Sequence, residues 1–279
     1  MVKAWAPPTA RINTKSRPFP EVVKDLRHCV WAINRLRPEP PGQALNFRVW
    51  PLGSGFFVAP RVFLTCHHVV NSVTNPHQPG DQYQLVQSLV ANTAVATTPF
   101  TTTVGTNLHL FPDQDAAILQ VAGDAHPFVA IGYSDFPEGA EIGVAGYPLS
   151  SVLPGQNGGP ALINLVYRVA KGVVTATYSQ TIKPGPEPQT ALLNTVEVNF
   201  LFVPGNSGGP IFDAETGRVF AFVHGFRDFQ IVQRFADTAP VNVTNGAPPK
   251  HVETLHAVYS IGIRLDGMRR ALEGFGATL

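Results

Sequence analysis

The sequence predicts an all-β protein, and three observations carry that prediction. Twenty-six Pro and 25 Gly punctuate a chain of 279 residues, a density of turns that suits short strands rather than long helices. Short apolar runs rich in β-branched and aromatic residues recur between those turns, as in Arg61-Val-Phe-Leu-Thr65 and Val219-Phe-Ala-Phe-Val223. Apolar residues make up 44% and charged residues 14%, the composition of a globular chain with a sizeable core rather than a disordered one.

Residues 1–20 are rich in Pro and basic residues and read as an irregular arm. From Glu21 to Leu36 the apolar residues Val22, Val23, Leu26, Val30, Ile33 and Leu36 fall close to helical spacing, and Pro38-Glu-Pro-Pro-Gly42 would end such a helix. Residues 1–45 are therefore expected to form an N-terminal extension. From Asn46 onward the texture is β-rich. Gly53-Ser-Gly-Phe-Phe-Val58 and Arg61–Thr65 suggest a hairpin turning at Ala59-Pro60, and Ala116–Val121 suggests a further strand. Strands are also expected at Glu141–Gly146, Tyr167–Thr175, Val196–Asn199, Pro210–Phe212, Val219–Val223 and Tyr259–Ile263. Pro and Gly clusters at 154–160 and 184–188 separate some of them. Leu265, Met268, Leu272 and Phe275 have the spacing of a short terminal helix. The stretch 227–258, with Pro248-Pro249 and the sequon Asn242-Val-Thr244, reads as a surface loop. Two β halves, 46–125 and 126–279, joined near Gly123–Val129, complete the expected organisation.

Several function classes are disfavoured at once. A formal net charge of +1 gives no electrostatic reason to expect nucleic acid or an acidic membrane as partner. No segment approaches the roughly eighteen unbroken apolar residues of a membrane span. The first thirty residues carry no secretory pattern, so a cytoplasmic protein is expected. Cys29 and Cys66 are the two cysteines; one bridge between them is open, but a disulfide framework is not.

Three short blocks contain residues suited to acyl transfer, which needs a nucleophile, a base, a group orienting the base, and donors for an oxyanion. In Gly205-Asn-Ser-Gly-Gly209 the glycines permit a sharp turn beside Ser207, so that backbone N–H groups can converge. Leu64-Thr-Cys-His-His-Val-Val70 offers two histidines just past a strand, and Asp115 opens the apolar run Asp115-Ala-Ala-Ile-Leu119, with Asp113 as its rival. Each block also has a plain structural reading: a Gly-rich turn, a half-buried histidine pair, a turn aspartate. Cys66, His67, His68 and His77 lack a second compact ligand pair, so no metal site and no cofactor is expected.

Taken together, Leu64-Thr-x-x-His68-Val-Val, Asp115-Ala-Ala-Ile-Leu and Gly205-Asn-Ser-Gly-Gly-Pro, in that order, resemble the three signature blocks of trypsin-like serine peptidases. The closest resemblance is to the bacterial high-temperature-requirement branch. It covers approximately residues 46–264 and is supported by Gly53–Val58, Gly143-Val-Ala-Gly-Tyr-Pro148, Lys171-Gly-Val-Val-Thr175 and Val219–Val223. It implies a chymotrypsin-like double six-stranded β-barrel, here with an N-terminal helical extension and a short C-terminal helix. It also implies a serine endopeptidase acting on protein or peptide substrates. By motif, Ser207 is the nucleophile, His68 the general base and Asp115 the orienting carboxylate, with an oxyanion hole at Gly205, Asn206 and Ser207. Leu201, Phe202 and Val203 would lie near the specificity pocket, with His224, Gly225 and Phe226 across it. No acid stands at the pocket base, so an apolar rather than basic residue is expected before the scissile bond.

The departures from that family are also informative. Asn206 stands where digestive-type zymogens place the Asp that pairs with a freed amino terminus, so that route of activation is not expected. No PDZ domain is expected after the second β half. His224 either binds a substrate carboxylate or faces Asp115. A silent pseudoprotease serving as an interaction module, and an enzyme latent until a regulatory partner orders its oxyanion loop, are the competing readings. Oligomeric state is not legible.

Overall fold

The computed structural model describes residues 14–39, 47–88, 100–133, 136–148, 151–153, 162–182, 191–235 and 251–277. The two Pro/Gly clusters and the sequon singled out above lie outside them.

A short helix, α1 (Phe19–Leu26), leads into β1 (Val30–Pro38). The first barrel then continues with β2 (Phe47–Ala59), β3 (Val62–Cys66), a single helical turn α2 (His67–Val70), β4 (Gln82–Ser88), β5 (Phe100–Phe111) and β6 (Ala116–Val121). All pairings are antiparallel, and the order β1-β2-β3-β6-β5-β4 closes on itself. Next come β7 (Glu141–Gly146), the small pair β8 (Ser151–Leu153) and β9 (Leu162–Asn164), and β10 (Arg168–Ile182). β11 (Ala191–Val198), β12 (Pro210–Asp213), β13 (Val219–Phe235) and β14 (His251–Arg264) complete the strands. The order β10-β11-β14-β13-β12-β7 closes the second barrel, and a 3-10 turn at Leu265–Met268 passes into α3 (Arg269–Gly274). This is the chymotrypsin-like fold, and closure leaves neither six-stranded sheet with an open edge. Among the described residues no helix is long and apolar enough to cross a membrane.

Two expectations fail, each for a physical reason. The helix expected over Glu21–Leu36 stops at Leu26, and Val30–Pro38 is instead β1, paired with β2 on one side and β4 on the other. Val30, Trp31, Ala32 and Ile33 are all buried, so the strand has two covered faces and shows no alternation that would distinguish it from a helix. The first barrel therefore begins at Val30, inside the stretch expected to be an extension. Within the expected loop over 227–258, the described residues 227–235 and 251–258 are strand. β13 and β14 stay in register from Ala221↔Arg264 out to Phe235↔His251, with one bulge between Val223 and Gly225.

The described part of the extension packs on the core. Val22 and Leu26 of α1 are fully buried in the main core, while Phe19 stacks on Phe212 of β12 at 6.1 Å. The helix thus packs on both barrels through its apolar face.

The segment that follows α2 is held by a buried polar cluster. Arg35 of β1 donates to the Val70 carbonyl, to Asn75 O at 3.0 Å and to Asn75 Oδ1 at 2.6 Å. Arg37 grips Asp81 with two hydrogen bonds, Nε to Oδ1 at 2.7 Å and NH2 to Oδ2 at 2.8 Å. The Asp81 side chain is fully buried. Burial works against its ionisation, but the Arg37 hydrogen bonds, the Gln78 amide and the Arg35 charge outweigh it and hold the carboxyl below its ordinary value. A carboxyl depressed in the folded state stabilises above its unfolded pKa and stops doing so as pH falls through its folded one. Asp81→Asn should therefore cost about 1 kcal/mol at neutral pH, since Arg37 is partly solvated. Its deficit relative to wild type should shrink once pH drops below the unfolded value of ~3.9. Urea unfolding of both proteins across pH checks this; a deficit that does not change with pH would contradict it.

Candidate active site

The order of elements brings all three signature blocks to the seam between the barrels. β3 ends at Cys66, so α2 lifts the two histidines away from the sheet. They then diverge. His67 is buried, its Nε2 3.3 Å from Asn71 Nδ2, whereas the His68 side chain is 28% exposed and turns toward Asp115. Exposure separates the base candidate from its neighbour.

Asp115 follows a 3-10 turn at Pro112–Gln114 and precedes β6. Its φ of 43° makes it the one non-glycine residue with positive φ among the described residues, a conformation that aspartate tolerates better than most residues. Its side chain is fully buried, while Asp113 is exposed. Asp115 Oδ1 accepts the His68 backbone N–H at 3.0 Å, and Oδ2 lies 2.8 Å from His68 Nδ1. The His67 N–H donates to the Asp115 carbonyl at 2.9 Å. The backbone thus fixes the spacing before the imidazole completes the pair.

His224, on β13 of the other barrel, sends its Nδ1 to the same Oδ2 at 2.6 Å. The two imidazoles meet edge to face, 5.4 Å between centroids. Of the two roles weighed for His224, the ring faces Asp115. Burial alone would raise the Asp115 carboxyl, but the His68 charge and hydrogen bonds from His224 and His68 hold it well below the usual carboxylate range. In turn, desolvation draws His68 down, while the Asp115 charge and hydrogen bond prevail and set it above its ordinary value.

The loop between β11 and β12 carries Ser207, whose Oγ donates to the His224 carbonyl at 3.3 Å. Three of its amides are engaged: Asn206 N with Val203 O at 3.0 Å, Gly208 N with Val223 O at 2.8 Å, and Gly209 N with Asn206 O at 2.8 Å. The N–H groups of Gly205 and Ser207 have no acceptor among the described residues. Asn206, grouped with them on sequence grounds, spends its amide in a turn and leaves two donors. Gly205 and Gly208 both have positive φ, 96° and 84°, and a Cβ on Gly208 would overlap the Ser54 carbonyl and the Thr65 hydroxyl. These two glycines are sterically required.

Around this loop, Leu201 and Phe226 are exposed, 58% and 55%, whereas Phe202 is buried. Val203 and Gly225 are half-buried. Cys66 is buried and donates from Sγ to the Val223 carbonyl at 3.1 Å; burial and the Asp115 charge push its thiol far up. Cys66, His68 and Asp115 bring potential metal-ligand atoms within 4.8 Å of one another, with the Cys66 thiol bonded to the Val223 carbonyl and His68 Nδ1 to Asp115. Cys29 and Cys66 are both free thiols. Sequence reasoning did not single out Ser54, which contacts the Ser207 loop; its only signal was a place between two glycines of the motif leading into the histidine hairpin.

A family model for the trypsin-like peptidase domain matches residues 53–221. No curated protein sequence matches the chain. Among solved structures, the chain is similar to the Rv3671c protease of M. tuberculosis in its active form, with a TM-score of 0.55 at 17% identity over 100% of this chain and 95% of that one. It is also similar to the HtrA-type protease AlgW bound to a decapeptide, with a TM-score of 0.54 at 15% identity over 92% of this chain and 67% of that one. Deg5 aligns with a TM-score of 0.52 at 19% identity over 74% of this chain and 83% of its own. Likeness at this identity speaks for the fold, and the family model for more: with its match spanning more than half of the chain, the protein belongs to the trypsin-like peptidase family.

Proposed function

We propose that the protein is a serine endopeptidase that cleaves proteins or peptides through an acyl-enzyme on Ser207. The observation that carries this reading is the locked pair of His68 and Asp115, held by two hydrogen bonds of 2.8 and 3.0 Å beside a loop with two unengaged amides. An ionised Asp115 accepts the proton on His68 Nδ1, which leaves Nε2 as the basic nitrogen. For attack, the Ser207 hydroxyl shifts its donation from the His224 carbonyl to that nitrogen; the observed rotamer is then a resting one. As Oγ bonds to the scissile carbonyl carbon, its proton passes to His68. The carbonyl π electrons move onto oxygen, and the N–H groups of Gly205 and Ser207 stabilise that charge. Collapse expels the amine with the proton from His68, and water repeats the sequence to release the acid.

Leu201 and Phe226 are exposed apolar residues, and none of the residues assigned to the pocket by motif, 201–203 and 224–226, is acidic, which supports a small or medium apolar residue before the scissile bond. The decapeptide bound to AlgW shows a peptide accommodated by a protein of this fold and supports peptides as the substrate class. A pseudoprotease would need none of the buried carboxylate, the paired base or the open amides.

A serine-directed peptide phosphonate should label the protein. Ser207→Ala should abolish labelling and lower kcat/KM by at least ~10⁴-fold. Mass spectrometric profiling of cleaved peptides should show apolar residues before the cut; a profile dominated by Lys and Arg would overturn the pocket reading. Because His68 must be neutral to act as base, activity should fall as pH drops through its raised pKa. Asp115→Asn removes the charge that raises it, so the His68 imidazole, followed by NMR, should titrate at lower pH than in wild type. Turnover should fall with it, on the order of 10³–10⁴-fold.

A further inference from the structure

The donors proposed for the oxyanion are backbone amides in a stretch with three glycines, so the loop has little side-chain packing of its own to hold it. We propose that Ser54, on β2 of the opposite barrel, is a positioning residue that holds this loop in its donor-out conformation; the inference rests on the serine-peptidase reading above. Ser54 is fully buried. Its Oγ lies 2.6 Å from the Gly205 carbonyl oxygen and 2.8 Å from the Tyr147 backbone nitrogen. The direction of both bonds follows from chemistry alone. An amide N–H can only donate, so Oγ accepts from Tyr147 and its single proton goes to Gly205.

The backbone of Ser54 adds a second hold. Its N–H donates to the Ser207 carbonyl at 2.9 Å, and its own carbonyl accepts from Thr65 Oγ1 at 2.7 Å. One buried residue therefore fixes the carbonyls on either side of Asn206. A peptide unit is a rigid plane, so holding a carbonyl oxygen also orients the N–H across the same bond. The plane from Gly205 to Asn206 is held by Ser54 at its oxygen and by Val203 at its nitrogen. The plane from Ser207 to Gly208 is held by Ser54 and by Val223 in the same way. The plane between them has its Asn206 oxygen on the Gly209 amide, which turns the Ser207 N–H outward. The Ser54 hydroxyl is the one side-chain contact in this set. Without it Gly205, at a φ of 96°, has no Cβ to stop its peptide units from turning.

The glycines packed around Ser54 leave no room for side chains of their own. A Cβ on Gly53 would come to 2.9 Å from the Ser207 carbonyl, and one on Gly146 would come to 2.9 Å from Ser54 Oγ. The hydroxyl is thus enclosed between the Ser207 loop and the end of β7.

The test compares wild type, Ser54→Ala, Ser54→Cys and Ser207→Ala in the full chain, each assayed well below its melting temperature. Ser54→Ala should lower kcat by roughly 10–100-fold with KM within about threefold, because the donors act on the transition state. It should weaken a peptide boronate, which presents a tetrahedral oxyanion, by a similar factor. Affinity for the uncleaved peptide, measured in Ser207→Ala with and without the second change, should stay the same. Ser54→Cys, nearly isosteric and a weaker donor, should fall between and serves if the alanine variant does not fold. Wild-type kcat in the folded Ser54 variants would overturn the proposal, as would equal losses for boronate and uncleaved peptide. If wild type itself is neither labelled by the phosphonate nor active on any peptide, the peptidase reading falls and this inference falls with it.

Discussion

Asp115 is an anion with no exposed surface, and the arrangement of the cleft follows from the need to compensate it. An unpaired buried carboxylate costs several kcal/mol, so the fold must bring donors to both oxygens. The first barrel supplies two through His68, one from the backbone and one from the ring. The third comes from His224 on the second barrel. The carboxylate can be fully satisfied only when the two barrels are docked. Separating the barrels would remove the His224 donor and leave Oδ2 with His68 alone.

The rest of the seam is built mainly of backbone. Ser54 reaches Ser207 and Gly205, Tyr147 reaches Ser54, and Cys66 reaches Val223, all across the barrel boundary. Contacts this close exclude side chains, which accounts for the glycines at 53, 146 and 208. Such a seam is stiff because peptide planes have few ways to move once both ends are bonded. Oxyanion stabilisation needs that stiffness, since donors that must reorganise during reaction contribute less. Outside it lies an apolar core that α1 joins through Val22, Leu26 and the stacking of Phe19 on Phe212.

The parts misread from sequence share a cause. Val30–Ile33 is buried on both faces of a strand, and Val30, Ile33 and Leu36 fall three apart, so the pattern mimics a helix until β2 and β4 pair with it. β13 and β14 run on as paired strands through residues 227–235 and 251–258, on either side of the Pro-containing segment that reads as a loop. Pairing with a partner distant in sequence decided both, and no local window contains that information.

The sequence alone determined which chemically suited residues are present and where the chain turns. His68, Asp115 and Ser207 stand in recognisable blocks, and Gly205 and Gly208 mark positions that require positive φ. Most strands of the second half were also legible, because their apolar runs end at glycine and proline. Tertiary structure decided the rest. It separated His68 from His67 and Asp115 from Asp113 by exposure and burial, and it turned His224 onto the carboxylate. It also placed Ser54 against the nucleophile loop, 151 residues away along the chain. Local steric and apolar preferences act over a few residues and are written into the sequence. The direction a side chain faces, and what lies opposite it, depend on surfaces that meet only when two barrels close and dock.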